Sequence, residues 1–184
     1  MHHLKAIVCI FTVLLGAQVC VNAAEMPTDV AAQVAKLKDA SPNVRQKAAV
    51  ELGKMGEKAK PAIPALLGIL DDKTTWVFTK AITALGEIGP DETVVKPLTP
   101  FLAKFPEIRS LAVDVFVKLG DKGVPGLIDA LKDETTAEGA CEALILLKEK
   151  GKPAAAQLTE VSTKHKSKPV RELAAKALKA VNGK

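Results

Sequence analysis

Aromatic side chains are scarce in this 184-residue chain, at 3% of the residues, with five Phe, one Trp and no Tyr. Ala, Leu, Val and Lys dominate instead, a set weighted towards helix formers, so strand architectures are disfavoured. Cysteine is nearly as rare: Cys9, Cys20 and Cys141 are the three, and the first two lie in the N-terminal 24 residues. If that segment is removed, Cys141 is left alone and no internal disulfide can form. Past that segment the only histidine is His165, in the lysine-rich stretch KHKSK, where an exposed loop is expected rather than a positioned base. No Cys and His cluster has zinc spacing and no glycine-rich run resembles a phosphate loop. Asp71 and Asp72 lack the further ligands of a calcium loop and read as a polar turn. The expectation is therefore no enzyme, no metal and no cofactor.

The N-terminus carries the one long apolar run. His2, His3 and Lys5 precede AIVCIFTVLLGA (residues 6–17), and small residues follow at Ala23 and Ala24. That is the order of a secretory signal peptide, here residues 1–24, with cleavage expected after Ala23 or Ala24. An uncleaved anchor is the rival, but Gln18 and Asn22 interrupt the run short of the ~20 residues a membrane-spanning helix needs. Cys20 follows Val19 rather than a small residue, which argues against a lipoprotein. The expected location is outside the cytosol: periplasm, cell surface or extracellular space. The remaining 25–184 is enough for one solenoid and not for two substantial domains.

The formal charge is +5, and Lys5 is the only charged residue among the first 24, so the rest carries +4. Its distribution is uneven, because residues 148–184 hold ten Lys or Arg against Glu149, Glu160 and Glu172. Such a basic region can meet anionic envelope polymers or lipids, or be a solvated helix face.

What is abundant is repetition. Alanines recur at Ala48, Ala81, Ala112, Ala143 and Ala174, spaced by 33, 31, 31 and 31 residues. Four residues after each comes a large apolar side chain (Leu52, Leu85, Phe116, Leu147, Leu178), and eight after each a helix stop (Gly56, Gly89, Gly120, Gly151, Asn182). Gly and Asn accept the left-handed conformation that closes a helix. Seven before each alanine stand Ser41, Thr74, Phe105, Thr136 and Ser167, four of which can cap a helix by accepting a backbone N–H bond. Each unit thus ends in a helix of about 14 residues. Val44, Val77, Ile108 and Val170, four before the alanine, complete its buried face, and Gly139 breaks that row. First helices precede, seen in IPALLGIL, VKPLTPFL and VPGLIDAL, with looser versions at 30–37 and 154–161. Such a hairpin buries its apolar side only by stacking on neighbours. The units are expected at about 27–60, 61–92, 93–122, 123–152 and 153–184.

NVRQKAAVELGKMG (43–56), KAITALGEIG (80–89) and PVRELAAKALKAV (169–181) resemble HEAT repeats, including the short HEAT-like units first associated with phycobilisome lyases. The resemblance spans about residues 27–182 and implies an all-α fold, a right-handed α–α superhelix of about five hairpins. It also implies a pairing of the turn acid with an Arg early in the second helix. Asp39 with Arg45 fits; Arg109 and Arg171 keep the Arg, while Asp72 and Asp133 keep the acid without that partner.

By the same resemblance, second helices line the concave face. One row there is Gln46, Thr79, Ser110, Cys141 and Glu172, the next Val50, Thr83, Asp114, Ile145 and Lys176. These rows are chemically mixed, which favours a protein or peptide partner over nucleic acid, whose tracking needs a basic stripe. Trp76, in a row with Asn43, Glu107, Glu138 and Pro169, is expected at the surface, where a Trp can anchor an interface; packing between units is its other reading, and that of Phe78. The candidate binding residues are Trp76, Thr79, Thr83, Ser110, Asp114, Cys141 and Ile145, with Cys141 either an exposed thiol or an inert half-buried one. The function expected is a non-catalytic binding or scaffold module of the cell envelope. The alternative is an accessory protein like the HEAT-like bilin lyases.

Overall fold

The computed structural model describes residues 26–183; the expected signal peptide, 1–24, lies outside them. Among the described residues ten α-helices pair into five hairpins: α1 (Thr28–Lys36) with α2 (Pro42–Lys54), α3 (Ile63–Leu67) with α4 (Thr75–Ile88), α5 (Val95–Leu98) with α6 (Pro106–Leu119), α7 (Val124–Ala130) with α8 (Ala137–Leu147), and α9 (Ala155–Lys164) with α10 (Lys168–Val181). The described residues contain no strand, and no helix among them is long and apolar enough to cross a membrane.

Every second helix begins six residues before its repeat alanine, so the register read from the sequence holds at all five starts. The alanines themselves are buried, as are Leu52, Leu85, Phe116 and Leu147, in one continuous core. Leu178, in the last described unit, is half-buried. The first helices of the middle units are short. Pro61, Pro64, Pro97 and Pro100 remove backbone donors there, and 3₁₀ turns at Gly56–Ala62 and Thr99–Ala103 take up much of that length.

Two details of the expected pattern are corrected. None of Ser41, Thr74, Thr136 and Ser167 makes a side-chain cap. The turn acids do the local work instead: Asp39 accepts from the Ser41 N–H at 2.8 Å, Asp72 from Thr74 at 2.9 Å and Asp133 from Thr135 at 2.8 Å. A carboxylate reaches two residues on more readily than a short hydroxyl, and its charge makes the stronger bond. The helix stops hold at Gly56, Gly89 and Gly120, all with positive φ, but not at Gly151 or Asn182. Helix α8 ends at Leu147, and Lys148 turns left-handed at φ 52°. Gly151 is instead buried where a Cβ would sit 2.8 Å from Val181. After α10 the left-handed residue is Gly183, one beyond Asn182.

The acid and arginine also pair differently from the expectation. The Arg45 guanidinium donates to Asp72 of the next unit, Nε to Oδ2 at 2.6 Å and Nη2 to Oδ1 at 3.0 Å, while its Nη1 donates to the carbonyls of Asp39 and Ala40. Asp72 therefore has a partner, and the pair is a latch between units. The hydrogen bond from Arg45 lowers the Asp72 pKa below the usual carboxylate value and raises that of Arg45. The same position, three before the alanine, fastens other junctions by other means. Phe78 stacks tilted on Phe101 of the next unit with centroids 5.8 Å apart, and Arg109 donates to Glu138 and Glu142 at 3.0 and 3.1 Å.

Candidate partner-binding surface

Because the second helices keep one register, residues separated by a whole repeat lie side by side on adjacent helices. Six of the seven candidates remain at the surface. Trp76, in the first turn of α4, is 52% exposed. Thr79 and Thr83 are half-buried, and their hydroxyls donate back along the helix to the carbonyls of Thr75 and Thr79 at 2.9 and 3.0 Å. The hydroxyl of the exposed Ser110 does the same to Glu107 at 3.0 Å. These hydroxyls have spent their protons locally and face a partner as acceptors. Asp114 is exposed, with no cation within ion-pair distance among the described residues, and Ile145 is half-buried against the core.

Cys141 is corrected. It is fully buried, and burial, followed by the charges of Glu142 and Glu138, pushes its thiol up to about 12. The row argument assumed that each second helix shows the same stripe to solvent. The first half of α8 breaks that assumption: Ala137, Gly139, Ala140, Cys141, Ala143 and Leu144 are all buried. Small side chains let neighbours close in all round. Gly139 shows how: a Cβ there would lie 2.6 Å from the Leu102 carbonyl oxygen and 3.0 Å from Arg109 Cδ, space that the branched residue of the other units fills. A protonated, inaccessible thiol is no nucleophile.

His165 is in the turn of unit five, part-buried rather than fully exposed. It stands nine residues before Ala174, the position of Asp39 and Asp72 in their units, and does their work: Nδ1 accepts from the Ser167 N–H at 3.1 Å. Arg171 donates to the His165 and Lys166 carbonyls, as Arg45 does in unit one. The last histidine is a turn acceptor.

Sequence reasoning passed over Phe105, which is 77% exposed at the start of α6. Its signal was present, as the one apolar residue in a row of Ser and Thr. Phe105 and Trp76 both open second helices, one repeat apart, on the edge of the molecule formed by the turns within hairpins. The same edge holds a cavity of about 320 Å³ between units two and three, floored by Leu67, Leu70, Phe78 and Phe101 and rimmed by Asp71 and Lys104. A larger groove of about 670 Å³ runs between units three and four, with Lys96, Asp129 and Asp133 on its walls. No group of three or more His, Cys, Asp or Glu among the described residues is arranged to hold a metal ion.

Residues 30–117 match the family model described as HEAT repeats. No curated protein matches the chain. Among solved structures, the complex of CpcE and CpcF of phycocyanin lyase from Nostoc sp. PCC7120 is similar at 21% identity and a TM-score of 0.56, over 97% of this chain and 71% of that one. At that identity the likeness establishes the fold alone.

Proposed function

We propose that this chain, a HEAT-like helical repeat protein, is a non-catalytic module of the cell envelope that binds a protein or peptide partner through its repeat surface. The pair Trp76 and Phe105 carries the reading. In a molecule whose core is built from Ala, Val and Leu, two large aromatics stand in solvent at the starts of adjacent second helices. Aromatic residues are enriched in protein interfaces, and Trp above all is an anchor there. Thr79, Thr83, Ser110, Asp114 and Ile145 lie on the same two helices and the next, and offer acceptors and apolar surface around the anchors. The cell-envelope part rests on the charged, apolar and small-residue order of residues 1–24.

The test is capture of a partner by tagged protein from an envelope extract, with Trp76→Ala and Phe105→Ala as paired variants. The partner is expected to be lost with both variants while circular dichroism is unchanged; a partner retained by both sinks the aromatic anchor. N-terminal sequencing of the protein from its host is expected to begin at Ala24 or Glu25, and a chain starting at Met1 overturns export by a cleaved leader.

A second reading, an accessory protein like the HEAT-like bilin lyases, is favoured by the likeness to the CpcE and CpcF complex. A spectral shift on titrating a tetrapyrrole into the protein would support it, and an unchanged spectrum would remove it.

A further inference from the structure

The basic C-terminal region divides into two edges that the sequence does not separate. On the edge formed by turns within hairpins, the charges are answered. Lys164 pairs with Glu160 at 3.2 Å, Lys166 with Glu134 at 2.8 Å and Lys168 with Glu172 at 3.8 Å, while Arg171 is spent on carbonyls. On the opposite edge, where one hairpin leads to the next, they are not. Lys148, Lys150 and Lys152 lie in the 3₁₀ segment after α8, and the end of α10 packs against that segment through Val181 and Gly151. Lys179 is in the last turn of α10, with Lys176 one turn before it. All five are exposed, and none has a carboxylate within 4 Å among the described residues.

Leu146 stands beside this group, 54% exposed and two residues before Lys148. Its place in the repeat is that of Ala84, Val115 and Ala177, all buried against the preceding unit. Here the preceding helix presents Val117 at the position where α2 and α4 have Gly53 and Gly86. At the earlier junctions glycine leaves room for Ala84 and Val115; with a valine at that position, Leu146 stands in solvent.

We infer that this edge, Leu146 with Lys148, Lys150, Lys152 and Lys179, docks on an anionic lipid surface. Unpaired lysines supply the charge complementarity, and the exposed Leu146 on the same edge can enter the acyl boundary while the ammonium groups stay at the headgroups. None of the cavities described above is lined by these residues, so the edge offers charge and one apolar side chain rather than a receptacle. A planar charged surface needs none. The lysines next to helix ends also face the negative ends of α8 and α10, which keeps them on this edge without neutralising them.

Co-sedimentation of the chain from residue 25 onwards, the form left by the proposed cleavage, with vesicles of phosphatidylcholine, with and without phosphatidylglycerol, tests the inference at about 0.05 and about 0.5 M salt. Binding is expected only with phosphatidylglycerol, and only at low salt. The triple variant Lys148→Ala, Lys150→Ala, Lys152→Ala should weaken it about fivefold per lysine, about a hundredfold in all. Lys164→Ala, Lys166→Ala, Lys168→Ala, on the answered edge, should leave it within a few-fold of the unaltered chain, with circular dichroism confirming that both triples fold. Leu146→Gln should weaken binding several-fold without changing its salt dependence, and Trp76→Ala should not affect it. Equal loss in the two triples, equal binding to both vesicle types, or binding to soluble polyglutamate without binding to vesicles each overturns the inference.

Discussion

The junction between units one and two and the junction between units three and four are built on one register and differ in closeness. In the first, Gly53 of α2 faces Ala84 of α4, where a Cβ would lie only 3.2 Å from the Ala84 Cα, and Arg45 grips Asp72 across the gap with two hydrogen bonds. In the second, Val117 and Leu146 occupy the corresponding places, Leu146 is turned out to solvent, and α8 is the shortest of the second helices at 11 residues. The inward positions of the repeat hold through both. At the first junction glycine, five places after the repeat alanine, lets the neighbour in; it does not set the approach alone, because α4 has Gly86 at the same place and packs on α6 no more closely than α6 on α8.

That contrast can be broken in graded steps. Leu85→Ala empties a fully buried site in the middle of the stack and should cost about 2–5 kcal/mol. A thermal midpoint unchanged from the unaltered chain would contradict the stacked core. Gly53→Val puts a branched side chain against the Ala84 backbone and should cost about 1–3 kcal/mol by overpacking; urea denaturation showing equal or greater stability would mean that the close approach is not required.

The latch has a pH signature. Arg45 holds the Asp72 carboxyl below its ordinary value, so the unfolded chain protonates first as pH falls. The stabilisation is fully present above about pH 5, starts to fade near the unfolded value of about 3.9, and is gone once pH passes below the lowered native value. Asp72→Asn should therefore lower the urea midpoint at pH 7 and flatten its fall in acid. An acid limb identical to that of the parent chain would show that the latch carries no linked stability.

At the open junction the effects should be small. Leu146→Gln, at an exposed site, should shift stability by less than about 0.5 kcal/mol, and a larger loss would place Leu146 in the core after all. In the same part of the molecule, Cys141 should resist alkylation at pH 8 until denaturant is added; rapid native labelling would show that the buried first half of α8 opens readily.

Most of the fold was legible because periodicity in the sequence is periodicity in burial. The alanine row, the Leu and Phe row and the five helix starts follow from i, i+4 geometry alone, and three of five helix stops follow from glycine. The reading of surface position held at Trp76, Thr79, Ser110 and Asp114. It failed at Cys141, because a row tells which side a residue takes and not how many neighbours press on that side. His165 was read as a loop histidine, although its place nine residues before Ala174 already matched the turn acids.

By itself the sequence determined a chain of five helical hairpins, their register, and the identity of the residues that face inward, since these follow from the periodicity within each helix. The tertiary structure decided which charges are answered, which aromatics stand free, and how tightly each unit meets the next. Those outcomes depend on pairs such as Arg45 with Asp72, 27 residues apart, and Phe78 with Phe101 of the next unit, and no local pattern in either member specifies its partner.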